Sequence, residues 1–180
     1  MKLQAISTKA PPGSLELLTA LGEEGENGFG GTPVGSDPEK LDDWLDYCVH
    51  IATSPPLSDD FVQQTNYWMT DDIGFVVGLV RIFPRINKTL LNKGGHFGYY
   101  VAPAHRRKGY GKAAIRLALD KLRAKGVKRA LVTVDSNNSV SLSLVKALGG
   151  VKEDERIDDE TGQAFCRFWL GTDYRTKMEN

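Results

Sequence analysis

Apolar residues recur along this chain with two spacings, and the alternation between them marks out its elements. Leu15, Leu17, Leu18 and Leu21 follow a helical period after Ser14, which can cap a helix that Gly22 ends. Gly22 to Ser36 holds six glycines and Pro33 and reads as a loop. Asp37 then caps a second helix, with Pro38 at its first position and Leu41, Trp44, Leu45 and Cys48 along one side, before Pro55-Pro56 stops it. Leu3 to Ser7 reads as a short strand. Val62 to Met69 and Phe75 to Phe83 are predicted strands on either side of a hairpin turn, Thr70 to Gly74. A polar connection, Pro84 to Lys93, leads to a further strand, Gly95 to Val101. From Tyr110 to Lys125 the residues Ala114, Ile115, Ala118, Leu119 and Leu122 form one helical stripe, and Gly126 supplies the stop. Ala130 to Val134 is a short apolar run that fits a buried strand. Asn137 or Asn138 caps a helix carrying Val140, Leu144, Val145 and Leu148, and Val151–Ile157 with Gln163–Leu170 form a last hairpin. The order predicts one α/β (α+β) domain with a strand–helix–strand unit at its centre. The chain carries no repeat, low-complexity tract or domain linker.

Composition narrows the class. A chain of 180 residues, 41% hydrophobic and 26% charged, can bury a sizeable core in one domain. Lys+Arg and Asp+Glu both total 23, so no global field favours nucleic acid or an anionic membrane. No apolar run approaches a membrane span, and Met1-Lys2-Leu3-Gln4 does not begin a signal peptide. Cys48 and Cys166 lie far apart, and His50, His96 and His105 form no ligand spacing, so neither a disulfide scaffold nor a metal site is indicated. The expected compartment is the reducing cytoplasm.

Positive charge is local instead. Arg106, Arg107, Lys108 and Lys112 surround Gly109 and Gly111 where a strand gives way to a helix. The first amides of a helix have no intrahelical acceptor and sit at the positive end of its dipole, so such a start can hold a phosphate or pyrophosphate. Glycine at 109 and 111 lets a ligand approach without meeting a Cβ. A Walker A loop is excluded, because position 106 is Arg and position 113 is Ala. The dinucleotide pattern is met by Gly109-x-Gly111-x-x-Ala114, with Asp135 ending the next strand, but Ala102 to Lys108 make too long a connection for that tight turn. Arg106-x-x-Gly109-x-Gly111 also has the form [Gln/Arg]-x-x-Gly-x-[Gly/Ala]. Downstream, Asn138-x-x-Ser141-x-x-Leu144-Val145-x-x-Leu148-Gly149-Gly150 holds a second pattern in compatible register. With these two markers the chain resembles the GNAT N-acetyltransferase superfamily, from about Gly74 to Leu148 and on to Leu170. Gly94-Gly95-His96 and Gly149-Gly150 are similar to an uncharacterised branch of it.

The resemblance implies a single-domain fold over 1–180, with a mixed, mostly antiparallel central sheet flanked by helices. Residues 1–60 would supply acceptor-side helices and a loop, 22–36, that can act as a lid, and 61–170 a core that binds acetyl-coenzyme A. It implies acetyl transfer to the primary amine of a small molecule or peptide, with a homodimer allowed; the alternative is a non-catalytic acyl-coenzyme A sensor. It places the pyrophosphate on Arg106, Arg107, Lys108, Gly109, Tyr110, Gly111 and Lys112, and the pantetheine along Tyr99, Tyr100 and Val101. Asn138 and Ser141 approach the cofactor, and the backbone N–H near Tyr99 meets the thioester carbonyl as an oxyanion donor. His96 is the candidate general base, although strand alternation can turn it away. Position 145, a tyrosine and general acid in many members, is Val145 here, and position 150 is Gly rather than Phe. Trp44, Trp68, Asp59 and Asp60 are candidate acceptor-pocket residues.

Overall fold

The computed structural model describes residues 1–23, 38–54 and 61–173. Its elements run β1 (Lys2–Ala5), α1 (Ser14–Glu23), α2 (Pro38–Thr53), β2 (Thr65–Thr70), β3 (Val76–Ile82), α3 (Lys88–Asn92) and β4 (Phe97–Val101). After one 3-10 turn at Pro103–His105 follow α4 (Tyr110–Ala124), β5 (Arg129–Asp135), α5 (Ser139–Ala147), β6 (Val151–Ile157) and β7 (Ala164–Gly171). The lid candidate beyond Glu23, the Asp37 cap, Pro55-Pro56 and Asp59-Asp60 lie outside the described residues.

Two antiparallel sheets result, one ordered β1-β2-β3-β4 and the other β5-β7-β6. The first forms through hairpin chemistry: Asp71 Oδ1 accepts from the Ile73 and Phe75 amides at 3.1 and 2.9 Å, fixing the β2–β3 turn. Each face of this sheet buries its own core. Trp68, Leu79 and Tyr100 pack against Leu17, Leu18, Leu45 and Cys48 of α1 and α2. The opposite face, with Met69, Val80 and Phe97, shares a core with α4, α5 and the second sheet. The α4 stripe is as predicted, since Ala114, Ile115, Ala118, Leu119 and Leu122 are all 0% exposed. Burial of its three branched side chains contributes about 1.5–3 kcal/mol each. This helix lies in the core that the two sheets share.

Some boundaries differ from the pattern reading. Ser14 is helical rather than a cap; its hydroxyl donates to the Pro11 carbonyl at 2.7 Å, and the helix continues through Gly22 to Glu23. The connection after β3 contains α3, capped by Asn87, whose Oδ1 accepts from Leu90 N–H at 3.0 Å. Only one turn long and without a buried residue, α3 leaves no apolar period to read. Asn138 is the α5 cap, and Val140 is 61% exposed instead of packing.

Candidate active site

The site begins where β4 and β5 should pair and largely do not. Gly95 bridges Val132, and the His96 amide donates to the Leu131 carbonyl at 2.8 Å, but the ladder does not continue along β4. Its phase follows from two bonds to the other neighbour: Phe83 N–H donates to His96 O, and Ala102 N–H donates to Val77 O. In an antiparallel ladder every second residue exchanges bonds with its partner strand. Residues 96, 98, 100 and 102 therefore pair with β3. Phe97, Tyr99 and Val101 turn their backbone groups away from it, into the gap left by β5. One of these is engaged: the Val101 carbonyl accepts from Arg106 Nε at 3.0 Å.

His96 closes this gap at one end. Its ring is 7% exposed, packs edge-on to Trp169 and accepts from Leu131 N–H through Nδ1 at 3.0 Å. Both backbone groups of Leu131 thus end on one residue of the neighbouring strand, its amide on the ring and its carbonyl on the main chain. Burial lowers the imidazole pKa, and a proton on Nδ1 would have to break the Leu131 bond. The contact requires glycine beside it: a Cβ on Gly95 would stand 2.4 Å from Leu131 O, and Gly95 has φ +75. Gly94 N–H donates to Thr133 Oγ1 at 3.1 Å one residue earlier. The Gly-Gly-His sequence is the signal for this seam, since glycine beside a strand marks a close backbone approach.

At the open end the chain turns into α4 through two left-handed residues, Arg107 at φ 64 and Gly109 at φ 83. Gly109 is the N-cap and offers no side-chain acceptor to the first helical amides. Left-handed residues between ordinary ones curve successive N–H groups around a concavity that suits an anion, and the helix dipole adds to it. Arg107 costs roughly 1–2 kcal/mol in this conformation, which a bound anion can offset. Arg107 and Lys108 are exposed beside the turn, and Lys112 is half-buried. Lys108 Nζ donates to Ala104 O at 3.1 Å. Arg106 lies back over the Tyr100 ring, 5.6 Å from its centroid. Tyr110 packs edge-on to His105, whose ring also meets Phe75.

Opposite this turn stands the start of α5. Asn138 Oδ1 accepts from Ser141 N–H at 3.0 Å, so its side chain caps the helix. Ser141 Oγ lies 3.0 Å from Tyr99 Oη, carrying the phenol of β4 across to α5. Burial pushes the Tyr99 pKa up, and the Ser141 bond partly opposes this. Gly111 occupies the crossing point. A Cβ there would lie 3.0 Å from Leu144 Cδ1 and 3.6 Å from Tyr99 Cε2. Its missing side chain therefore serves helix packing as well as access to the amides. Leu144 is a contributor that pattern reading left as plain core.

Tyr99, Val101, Gly111 and Ser141 thus converge from three elements, with the basic turn and Asn138 at their margin. Tyr100 goes the other way: it is 4% exposed, pairs with β3 and packs on the α1–α2 face near Trp68. Trp44 and Trp68 meet on that face, with ring centroids 5.5 Å apart. Val145 is fully buried, and a Cβ on Gly150 would stand 2.6 Å from its Cγ1. A separate open cleft of about 550 Å³ lies at the far end of α4, lined by Arg123, Lys128, Arg129, Trp169 and Asp173 among others.

The model of the acetyltransferase (GNAT) family matches residues 36–149. Among solved structures, a mutant form of the spermidine N-acetyltransferase SpeG from Vibrio cholerae is similar at TM-score 0.68 and 17% identity, over 99% of each chain. Mutant forms of the same organism's spermidine/spermine N-acetyltransferase give 0.67 at 16% identity, over 99% of this chain and 98% of that one. A dodecameric structure of spermidine N-acetyltransferase, again from Vibrio cholerae, gives 0.65 at 16% over the same shares. At such identities the likeness speaks for the fold alone. No curated protein matches by sequence. Among the described residues no helix is long and apolar enough to cross a membrane, and no group of His, Cys, Asp and Glu could hold a metal.

Proposed function

Because the chain belongs to the acetyltransferase (GNAT) family, we propose that the gap beside β4 and the start of α4 bind acetyl-coenzyme A, whose acetyl group passes to a primary amine. When bound, acetyl-coenzyme A supplies an acyl carbon already activated as a thioester. The amides at 107–112 hold its pyrophosphate, with Arg107, Lys108 and Lys112 adding charge. The backbone groups of Tyr99 and Val101 line the pantetheine path, and Tyr99 N–H supports the carbonyl oxygen as negative charge develops there. Asn138 shapes the opposite wall while capping α5. His96 braces the strands, and the acceptor amine loses its proton to ordered water. Helices α1 and α2 form the acceptor side, with Trp44 and Trp68 beneath it, and 61–170 form the donor-binding core. The observation that carries this reading is the phase of β4, which turns Tyr99 and Val101 into a gap ending at an anion-binding helix start.

Acceptors to try first are aliphatic polyamines, because spermidine N-acetyltransferases share the fold, followed by other small amines and peptide N-termini. Acetyl-coenzyme A at about 100 times its Kd should stabilise the folded protein by about 2.7 kcal/mol. For a chain of this size that raises Tm by roughly 5–10 °C. NADH should leave Tm unchanged; a rise with NADH and none with acetyl-coenzyme A overturns the donor assignment. Release of free thiol across pooled amines then identifies the acceptor class. Binding with no release from a broad panel would turn the reading to an acyl-coenzyme A sensor.

A further inference from the structure

The cleft at the far end of α4 plays no part in the donor site, and its lining gathers charge of one sign. Arg123 in the last turn of α4, Lys128 in the connection that follows and Arg129 at the start of β5 line it beside Trp169 of β7. Among the described residues none of these three cations makes an ion pair. The one carboxylate at the rim, Asp173, folds back on Gly171, where an added Cβ would stand 2.6 Å from its Oδ1. The ends of α4 and α5 border the cleft at Gly126 and Gly149 and carry about half a negative charge each. Their carbonyls are engaged, by the Gly126 and Val127 amides at 2.9 and 3.1 Å in α4 and by the Gly149 amide at 3.0 Å in α5. Three full cations therefore set the sign of the field.

Trp169 makes this more than a patch of solvated charge. The Arg129 guanidinium lies over its indole, 5.1 Å from the ring centroid. Both project from one face of the second sheet, because Leu131, two residues along from Arg129, is the register partner of Trp169. Stacking fixes the plane of a guanidinium and leaves its N–H edge free for a carboxylate or phosphate. The indole also meets the His96 ring edge-on at 6.2 Å, so the cation is mounted on the seam between the strands. Val151, 66% exposed and in register with Trp169, offers an apolar wall to the carbon part of a ligand.

We propose that this cleft binds a small polyanion, a phosphate ester or a di- or tricarboxylate, on the Arg129 fork, with Lys128 and Arg123 neutralising its remaining charge. At about 550 Å³ it has room for more than a single phosphate.

Calorimetry with citrate and with inorganic pyrophosphate tests this on Gly111→Asp, whose altered α4 start removes the competing anion site, and on the wild type saturated with coenzyme A. One of the two probes should bind at a single site with Kd below about 1 mM. Citrate as the tighter probe identifies a carboxylate ligand, and pyrophosphate a phosphate. Arg123, Lys128 and Arg129 are all exposed, so their variants should fold. Arg129→Ala should weaken binding at least about tenfold. Arg129→Lys keeps the charge but loses the planar fork, and should weaken it nearly as much. In NMR titrations the Trp169 indole N–H, identified by its absence in Trp169→Phe, should shift while those of Trp44 and Trp68 stay. No saturable binding of either probe would overturn the site, as would an unmoved Trp169 signal. Wild-type affinity in Arg129→Lys would reduce it to a solvated charged face.

Discussion

The two ends of β4 treat their neighbour in opposite ways. At Gly95 and His96 the chain is stitched to β5 by a backbone bridge, an amide-to-carbonyl bond and a ring nitrogen, all within two residues. From Phe97 onward the ladder stops, and the chain departs into the left-handed turn at Arg107 and Gly109. A strand edge with unpaired amides is normally a liability for a folded protein. Here the closed end holds the open end at a defined width, so polar groups can wait for a ligand without a collapse of the sheet. Stability is concentrated at one end, and the proposed donor site lies at the other. Substitutions at the closed end should therefore cost stability and spare donor affinity, and those at the open end should do the reverse.

The largest effect is expected at Gly95. Gly95→Ala places a Cβ 2.4 Å from a backbone carbonyl at φ +75, and backbone cannot move aside as a flexible side chain can. A loss of about 3 kcal/mol or more in denaturant unfolding is expected, beyond the cost of a left-handed alanine alone. Gly109→Ala sharpens the contrast. Its φ of +83 is similar, but nothing lies within 4 Å of the new Cβ, so the loss should be only about 1 kcal/mol. Equal losses at the two positions would mean that dihedral strain, not the seam, sets the cost.

Next comes Gly111→Asp. A carboxylate at the α4 start opposes a pyrophosphate on the same amides, and titration should show coenzyme A affinity reduced at least a hundredfold, about 2.7 kcal/mol. The Leu144 methyl at 3.0 Å is the end of a flexible side chain, so the fold should survive with a loss of about 1 kcal/mol. Unaltered affinity in the folded variant would remove this turn from the donor site.

His96→Ala should cost about 2 kcal/mol, because the buried Leu131 N–H loses its acceptor and a cavity opens beside Trp169. His96→Asn can return an oxygen near the position of Nδ1 and should recover much of that loss while having no basic nitrogen. Should His96→Asn recover stability yet lose kcat/KM a hundredfold, His96 would be the base after all.

The smallest effect is in pH. The pKa of His96 is lower folded than unfolded, so the unfolded chain takes up the proton first as pH falls. Its contribution is complete above the unfolded value of about 6.5 and declines as pH drops below it. Asp158, held below the ordinary carboxylate value by Lys93 and then by the Thr161 N–H, acts lower down. Its contribution is complete above about 4 and is lost on further acidification. Unfolding free energy against pH should therefore fall in two stages. His96→Asn should remove the upper stage only, and Asp158→Asn the lower. A single stage unaffected by His96→Asn would count against the brace.

Much of this was legible in the chain itself. The stripe at Ala114, Ile115, Ala118, Leu119 and Leu122, the hairpin turn at Asp71 and the cap at Asn138 follow from local rules, because each depends on residues within a few positions of one another. The basic glycine turn before α4 was legible for the same reason, as a helix start carries its own anion-binding chemistry. What the tertiary structure alone decided is which neighbours those local features meet. Gly111 looks in sequence like an opening for a ligand, yet in three dimensions it is also where Leu144 and Tyr99 close on α4. His96 looks like a base until Leu131, 35 residues away, donates to its ring. Tyr99 and Tyr100 look alike until the pleat sends one to Ser141 and the other to Trp68. Each of these outcomes depends on how two sheets are set against one helix. That packing is governed by long-range burial, which no run of neighbouring residues encodes.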